Sequence, residues 1–208
     1  MKQEFILKAI KSAFTEDLGD GDHSSLACVP KNSIGKAKLL VKDKGILAGV
    51  EIAKLVFEQY DSKMEFKQLM NDGDAIKVGD IVFEIKGASQ SILACERLAL
   101  NIMQRMSGIA TKTQSMLKLI EGYSTKILDT RKTTPNFRVF EKEAVRIGGG
   151  INHRFALYDM IMLKDNHIDY AGGITLALVK TNDYLKSIGK RLKVEIEVRD
   201  FKELNEAL

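Results

Sequence analysis

A chain of 208 residues with a net charge of only +4 lacks the dense basic stripe of a nucleic-acid binder, and its 45% hydrophobic and 29% charged residues are those of an ordinary globular protein. No run approaches the roughly 20 apolar residues that cross a bilayer, and the N-terminus shows neither an unbroken apolar core nor a small-residue cleavage site, which excludes a membrane span and a signal peptide. Cys28 and Cys95 have no metal-ligand spacing, so the expectation is a soluble cytoplasmic protein with reduced thiols.

Phe5, Ile6, Ala9, Ile10, Ala13 and Phe14 recur at helical spacing with lysines between them, which predicts an amphipathic surface helix. KAKLLVKDKGILAG alternates and then runs apolar, predicting a strand pair punctuated by Gly45 and Gly49. Val50, Ile52, Ala53, Val56 and Phe57 predict a helix. In NDGDAIKVGDIVFEIKG, Gly73, Gly79 and Gly87 predict turns between short strands. That segment looks like the small β folds that carry lipoyl or biotinyl groups, yet no lysine sits at the tip of a tight hairpin. From Ser89 runs the longest helical stretch. Ile92, Leu93, Leu100, Met103 and Met106 form its apolar side, and Ser107-Gly108 predicts a break or kink.

The pattern then changes. TKILDTR, DMIMLKDN and LKVEIEVRD predict strands, and EKEAVRIG, LALVKTNDYLKSIG and FKELNEAL predict helices. Strands alternating with helices imply parallel pairing, with right-handed crossovers that leave the C-terminal strand ends on one edge. Ligands of parallel α/β sheets and barrels bind at that edge.

Chemistry gathers there. The first strand delivers Asp129, Thr130, Arg131 and Lys132, the second Lys164, Asp165, Asn166 and His167, and the third Glu195 and Glu197. GGGINHR adds His153 and Arg154 behind three glycines that let the backbone approach something closely, although the run does not fit a GxGxxG phosphate loop. Taken singly, each cation reads as a solvated surface charge and His153 as a hydrogen-bonded structural histidine. Their coincidence on one edge points to an anionic ligand, because adjacent Arg131 and Lys132 repel each other and favour neither strand nor turn. In KVEIEV, Val194, Ile196 and Val198 face one way and Lys193, Glu195 and Glu197 the other. A parallel strand is normally covered on both faces, so these carboxylates are expected to point into a barrel or cleft, where an unpaired charge is costly. Cations, a metal or sugar hydroxyls would partner them, and a phosphorylated sugar with Mg²⁺ supplies all three.

EDLGDGD, ERLALNIMQRMSGIAT, LDTRKTTP, GGGINHR, MLKDNHI and VEIEV, in this order and spacing, resemble the quinolinate phosphoribosyltransferases, also called carboxylating nicotinate-nucleotide pyrophosphorylases. The resemblance covers essentially the whole chain. It implies an α/β protein with an N-terminal α+β sandwich domain over residues 1–108, long helix included, and an α/β barrel domain over residues 109–208. It implies a Mg²⁺-dependent reaction of quinolinate with phosphoribosyl pyrophosphate, giving nicotinate mononucleotide, pyrophosphate and CO2 for NAD biosynthesis. Carried over by motif, Arg131, His153, Arg154 and Lys164 would bind quinolinate, Lys132 would reach the phosphoribosyl pyrophosphate, and Thr130 would shape that loop. Glu197 would face the ribose and the metal site, making Lys132 and Glu197 the catalytic pair. Arg97, on the long helix, would reach across a homodimer into the neighbouring site.

The resemblance also implies a further strand ending in an Asp-Asn pair, followed by glycine-rich phosphate loops. Neither is found before Leu208, so the barrel is expected to be incomplete, its metal-binding aspartate unassigned and the 208-residue chain inactive. Two alternatives stand beside this expectation. One is a related phosphoribosyltransferase acting on another anionic acceptor such as nicotinate. The other is a non-catalytic dimerisation or carrier module built on residues 1–110.

Overall fold

Apolar residues at helical spacing fold as α1 (Lys2–Leu18), which buries Ile10 and sets the Phe14 ring against Tyr60 at a centroid distance of 5.3 Å. The computed structural model describes residues 2–208 and divides them into two units, 2–153 and 154–208. In the first, α2 (His23–Cys28) follows α1; no sequence pattern announced it, and the Asp22 side chain caps it by accepting the Ser25 amide at 3.2 Å.

Five strands follow, with one helix among them: β1 (Ile34–Leu40), β2 (Gly45–Ile46), α3 (Val50–Tyr60), β3 (Glu65–Gln68), β4 (Ala75–Ile76) and β5 (Ile81–Ala88). β1 and β2 do not pair with each other as expected: β1 pairs with β5 and β2 with β4, both antiparallel. The cause is β5, which buries Val82, Phe83 and Ile85 and serves as the central strand, taking β1 on one side and β3 on the other. Both rows of its backbone donors and acceptors are thereby satisfied. Gly73 and Gly79 sit in turns at positive φ, but Gly87 lies inside β5, where a Cβ would meet Met64 Cγ at 2.6 Å. It is a close-packing glycine, not a turn. The five predicted positions of α3 are all buried, and Phe57, Phe66 and Phe83 form an aromatic cluster beside them.

The long helix α4 (Ser89–Leu119) runs uninterrupted through Ser107 and Gly108, against the expected break. Ser107 accepts the Ala48 amide at 3.0 Å and donates to the Ala48 carbonyl at 3.1 Å, while the Thr111 hydroxyl accepts the Ile46 amide at 2.8 Å. These hydroxyls dock the β2 segment instead of competing for the helix's own carbonyls. Ile92, Met103 and Met106 are buried as predicted, but Leu93 is 45% exposed.

α5 (Arg138–Ile147) packs on α4. The expected strand before it shrinks to one parallel bridge, Leu128 to Ile151, made by the Ile151 amide on the Ile127 carbonyl (2.9 Å) and the Asp129 amide on the Ile151 carbonyl (3.1 Å). The facing segment is one residue long, because Gly150 packs on Val145 of α5 and Asn152 turns its side chain to Asp129.

In the second unit, β6 (Ile161–Leu163), α6 (Asp165–Ala171), α7 (Ile174–Ser187), β7 (Val194–Ile196) and α8 (Phe201–Ala207) follow the predicted alternation, with α6 as an unpredicted addition. β6 and β7 pair in parallel, and Leu163, Ile168, Ile174 and Ala177 form the core against which Ile196 and Val198 pack. The architecture is α/β: an N-terminal α+β sheet region, then a C-terminal region whose strands, among the described residues, do not close a barrel. No described helix is long and apolar enough to cross a membrane.

Candidate functional site

The bridge at Leu128 fixes what comes next, because it sets Asp129 beside Asn152 and His153. The Asp129 carboxylate accepts the His153 amide at 2.9 Å and Asn152 Nδ2 at 2.7 Å, and it pairs with the Lys142 ammonium. Lys142 is 2% exposed, and its ammonium also donates to the His153 carbonyl at 3.3 Å. A buried cation with a carboxylate and a carbonyl as partners has the satisfied geometry that such a burial requires.

Glu141, the preceding residue of α5, is 6% exposed. It accepts Arg105 Nε and Nη2 at 3.0 and 2.7 Å, and the amide and hydroxyl of Thr134 at 3.1 and 2.9 Å. Burial alone would raise the Glu141 carboxyl, but the donated hydrogen bonds from Arg105 and Thr134 outweigh it and hold the group below its ordinary value.

Between these anchors lie three of the predicted ligand residues, Thr130, Arg131 and Lys132. The Thr130 hydroxyl accepts the Lys132 amide at 3.1 Å, which turns the loop and leaves the Lys132 side chain exposed. Arg131 is half-buried, and its Nε is shielded from solvent with no hydrogen-bond partner among the described residues. Arg138 Nε donates to the Thr133 hydroxyl at 3.0 Å. Asp129 thus ties the 130–132 loop to the backbone of His153.

The glycine run has a packing role. A Cβ on Gly148 would meet the Ala110 carbonyl at 2.5 Å and Thr113 Cβ at 2.8 Å, so the close approach predicted for this run is to α4. The run cradles helix α4, and the site residues begin just after it.

In the second unit, Leu163 pairs with Ile196 in register, and the Glu197 amide donates to the Leu163 carbonyl at 2.9 Å. One residue further on, Lys164 Nζ meets Glu197 Oε1 at 2.7 Å, with side-chain exposures of 42% and 50%. A cationic partner for the strand's carboxylate is therefore present, in a partly hydrated setting. Glu195 is exposed. His167 Nδ1 accepts the Lys164 amide at 2.9 Å and so caps α6. Arg154 lines an open cleft of about 400 Å³ with His167, Lys180 and Tyr184.

Arg97 is exposed on α4 and lines a separate groove of about 630 Å³ together with Lys42, Lys44 and Lys112. Among the described residues, no group of three or more His, Cys, Asp or Glu side chains could hold a metal ion, and Glu197 is engaged with Lys164.

Glu141, Lys142, Arg105 and Asn152 escaped the sequence reading. The one local signal was that Val139 and Lys142, three residues apart, share a face of a helix whose Phe140 and Ala144 are apolar. Nothing local showed that this face is buried.

Two family models match the chain: the quinolinate phosphoribosyl transferase N-terminal domain over residues 22–107 and the C-terminal domain over residues 109–208. The quinolinate phosphoribosyltransferase [decarboxylating] 1b of Nicotiana tabacum is 42% identical over 200 residues, covering 96% of this chain and 57% of the tobacco protein. The probable nicotinate-nucleotide pyrophosphorylase [carboxylating] of Bacillus subtilis (strain 168) is 40% identical over 201 residues, covering 97% of this chain and 68% of that protein. The crystal structure of NadC from Streptococcus pyogenes superposes with a TM-score of 0.89 at 41% identity, covering 97% of this chain and 70% of that one.

Proposed function

We propose, because this chain belongs to the quinolinate phosphoribosyltransferase family, that it binds quinolinate and phosphoribosyl pyrophosphate and serves their conversion to nicotinate mononucleotide, pyrophosphate and CO2 in NAD biosynthesis. The observation that carries this is Arg131. A shielded guanidinium N–H with no partner is costly by about 1–3 kcal/mol, and a ligand carboxylate is the acceptor that would satisfy it.

Arg131, His153, Arg154 and Lys164 take the two adjacent carboxylates of quinolinate. Lys132, exposed at the loop tip, offers a compact point charge to the phosphoribosyl pyrophosphate, with Thr130 holding the turn. Glu197 lies beside the ribose. Pyrophosphate leaves the anomeric carbon, Glu197 stabilises the cationic sugar, and the pyridine nitrogen attacks it. The ring nitrogen, now cationic, stabilises the electron pair left on the neighbouring ring carbon as its carboxylate departs as CO2, and a proton from solvent then forms the C–H bond there. Arg97 reaches into the partner's site in a homodimer. Domains of 1–108 and 109–208 suit the two family matches, which meet at residues 107 and 109.

A divalent cation belongs to this chemistry, yet the donors described here do not form a set that holds Mg²⁺ by themselves, and no step above runs through one. The free thiols of Cys28 and Cys95 suit a reducing compartment, and we place the reaction in the cytoplasm.

Thermal unfolding with quinolinate and with nicotinate tests the assignment. Quinolinate at a hundred times its Kd adds about 2.7 kcal/mol of stability. A larger shift with nicotinate would reassign the acceptor, and no shift with either would remove the binding function.

A further inference from the structure

Glu141 and Lys142 are consecutive, buried, and opposite in charge, yet they do not serve each other. They reach the two ends of one short segment. Lys142 pairs with Asp129, and Glu141 holds both the amide and the hydroxyl of Thr134 at 3.1 and 2.9 Å. Between those two points lie Thr130, Arg131, Lys132 and Thr133. Repulsion between adjacent Arg131 and Lys132 drives such a loop to open and sample many geometries. Two anchors on one helix oppose that motion, and Arg105 extends the second anchor to α4 through paired hydrogen bonds of 3.0 and 2.7 Å. The first anchor also reaches His153, whose amide donates to Asp129 at 2.9 Å and whose carbonyl accepts from Lys142 at 3.3 Å.

We infer that Glu141 and Lys142 form a two-point clamp: positioning residues that hold Arg131 and Lys132 in their ligand-binding arrangement before any anion arrives. The ordering entropy of the loop is then met in folding and not in binding. The identity of the anion as quinolinate rests on the function proposed above; the clamp itself does not.

Amide hydrogen exchange of the 208-residue chain, with quinolinate affinity measured alongside, separates the two. Thr134→Val removes one hydroxyl at an exposed position, so folding is safe, and Thr134→Ser restores the hydroxyl. The valine variant raises exchange at residues 130–133 about tenfold while α3 amides hold, and the serine variant returns it to the unaltered level. Lys142→Met loosens the same residues from the other end. Quinolinate binding weakens about tenfold in Thr134→Val and recovers in Thr134→Ser, a rescue that a merely structural role would not produce. Unchanged exchange at 130–133 in Thr134→Val overturns the clamp, whether or not Lys142→Met folds. The expected exchange pattern in a chain that does not bind quinolinate supports the clamp and removes the functional assignment.

Discussion

Lys164 and Glu197 meet, Nζ to Oε1 at 2.7 Å, one residue beyond the last register pair of two parallel strands. Their contact follows from backbone pairing: with Leu163 opposite Ile196, the next side chains leave the sheet at the same edge. Both are about half exposed, at 42% and 50%, so water and salt screen the pair. Lys164→Ala therefore lowers stability by no more than about 1 kcal/mol. The same change removes the stabilisation by quinolinate, because it deletes a cation assigned to a ligand carboxylate. Thermal unfolding with and without quinolinate checks both halves; a large stability loss, or an undiminished shift, contradicts the assignment.

Legibility in the sequence followed the range of the interaction that decides each feature. The helix over 50–60 needed only its own spacing, and Val50, Ile52, Ala53, Val56 and Phe57 are all buried. The parallel β6–β7 pair was readable from the alternation of strands and helices, and it put Lys164 and Glu197 at one edge. Ser107 misled because its partner, Ala48, lies 59 residues away; with that partner present the hydroxyl docks a loop and the helix continues. Glu141 and Lys142 escaped the sequence reading for the same reason. Their burial depends on Arg105, Asp129 and Thr134, none of which belongs to α5.

The ion pair of Asp129 and Lys142 is asymmetric in what each partner has left when the other is removed. Among the described residues, Asp129 keeps Asn152 and the His153 amide, whereas Lys142 keeps only the His153 carbonyl. Asp129→Ala thus strands a buried cation and lowers stability by about 3–5 kcal/mol. Lys142→Met leaves a hydrogen-bonded carboxylate beside a chain of similar length, and its loss is smaller. Urea unfolding of the two variants measures the difference, and an equal or reversed order would show that Asp129 is not the better-served partner.

Two glycines packed against or within α4 respond oppositely to the same added methyl group. On Gly148 the new carbon meets the Ala110 carbonyl at 2.5 Å and Ala110 Cα at 2.9 Å, both backbone atoms of a helix that cannot yield. Gly148→Ala destabilises by about 1–3 kcal/mol. Gly108 sits inside α4, where, among the described residues, nothing beyond its chain neighbours and the helix's own backbone lies within 4 Å of the added carbon. Gly108→Ala stabilises by about 0.5–1 kcal/mol, because alanine gives up less backbone freedom in a helix. Melting curves of the two variants, shifting in opposite directions, are the expected result.

Acid acts on the other anchor of the 129–134 loop. Burial raises the Glu141 carboxyl, but the Arg105 and Thr134 donors prevail, so the folded group titrates below the 4.5 of a free glutamate. Between those two values the unfolded chain binds the extra proton, and stability falls as pH falls. Glu141 therefore contributes fully above about pH 4.5 and loses its contribution as the pH drops through the folded value. Glu141→Gln cannot titrate, so its stability is lower at neutral pH and declines less steeply on acidification. Denaturant unfolding of both proteins between about pH 6 and pH 3 should give curves that converge at the acid end. A constant gap across that range would mean that the carboxylate's charge plays no part in holding Thr134 and Arg105.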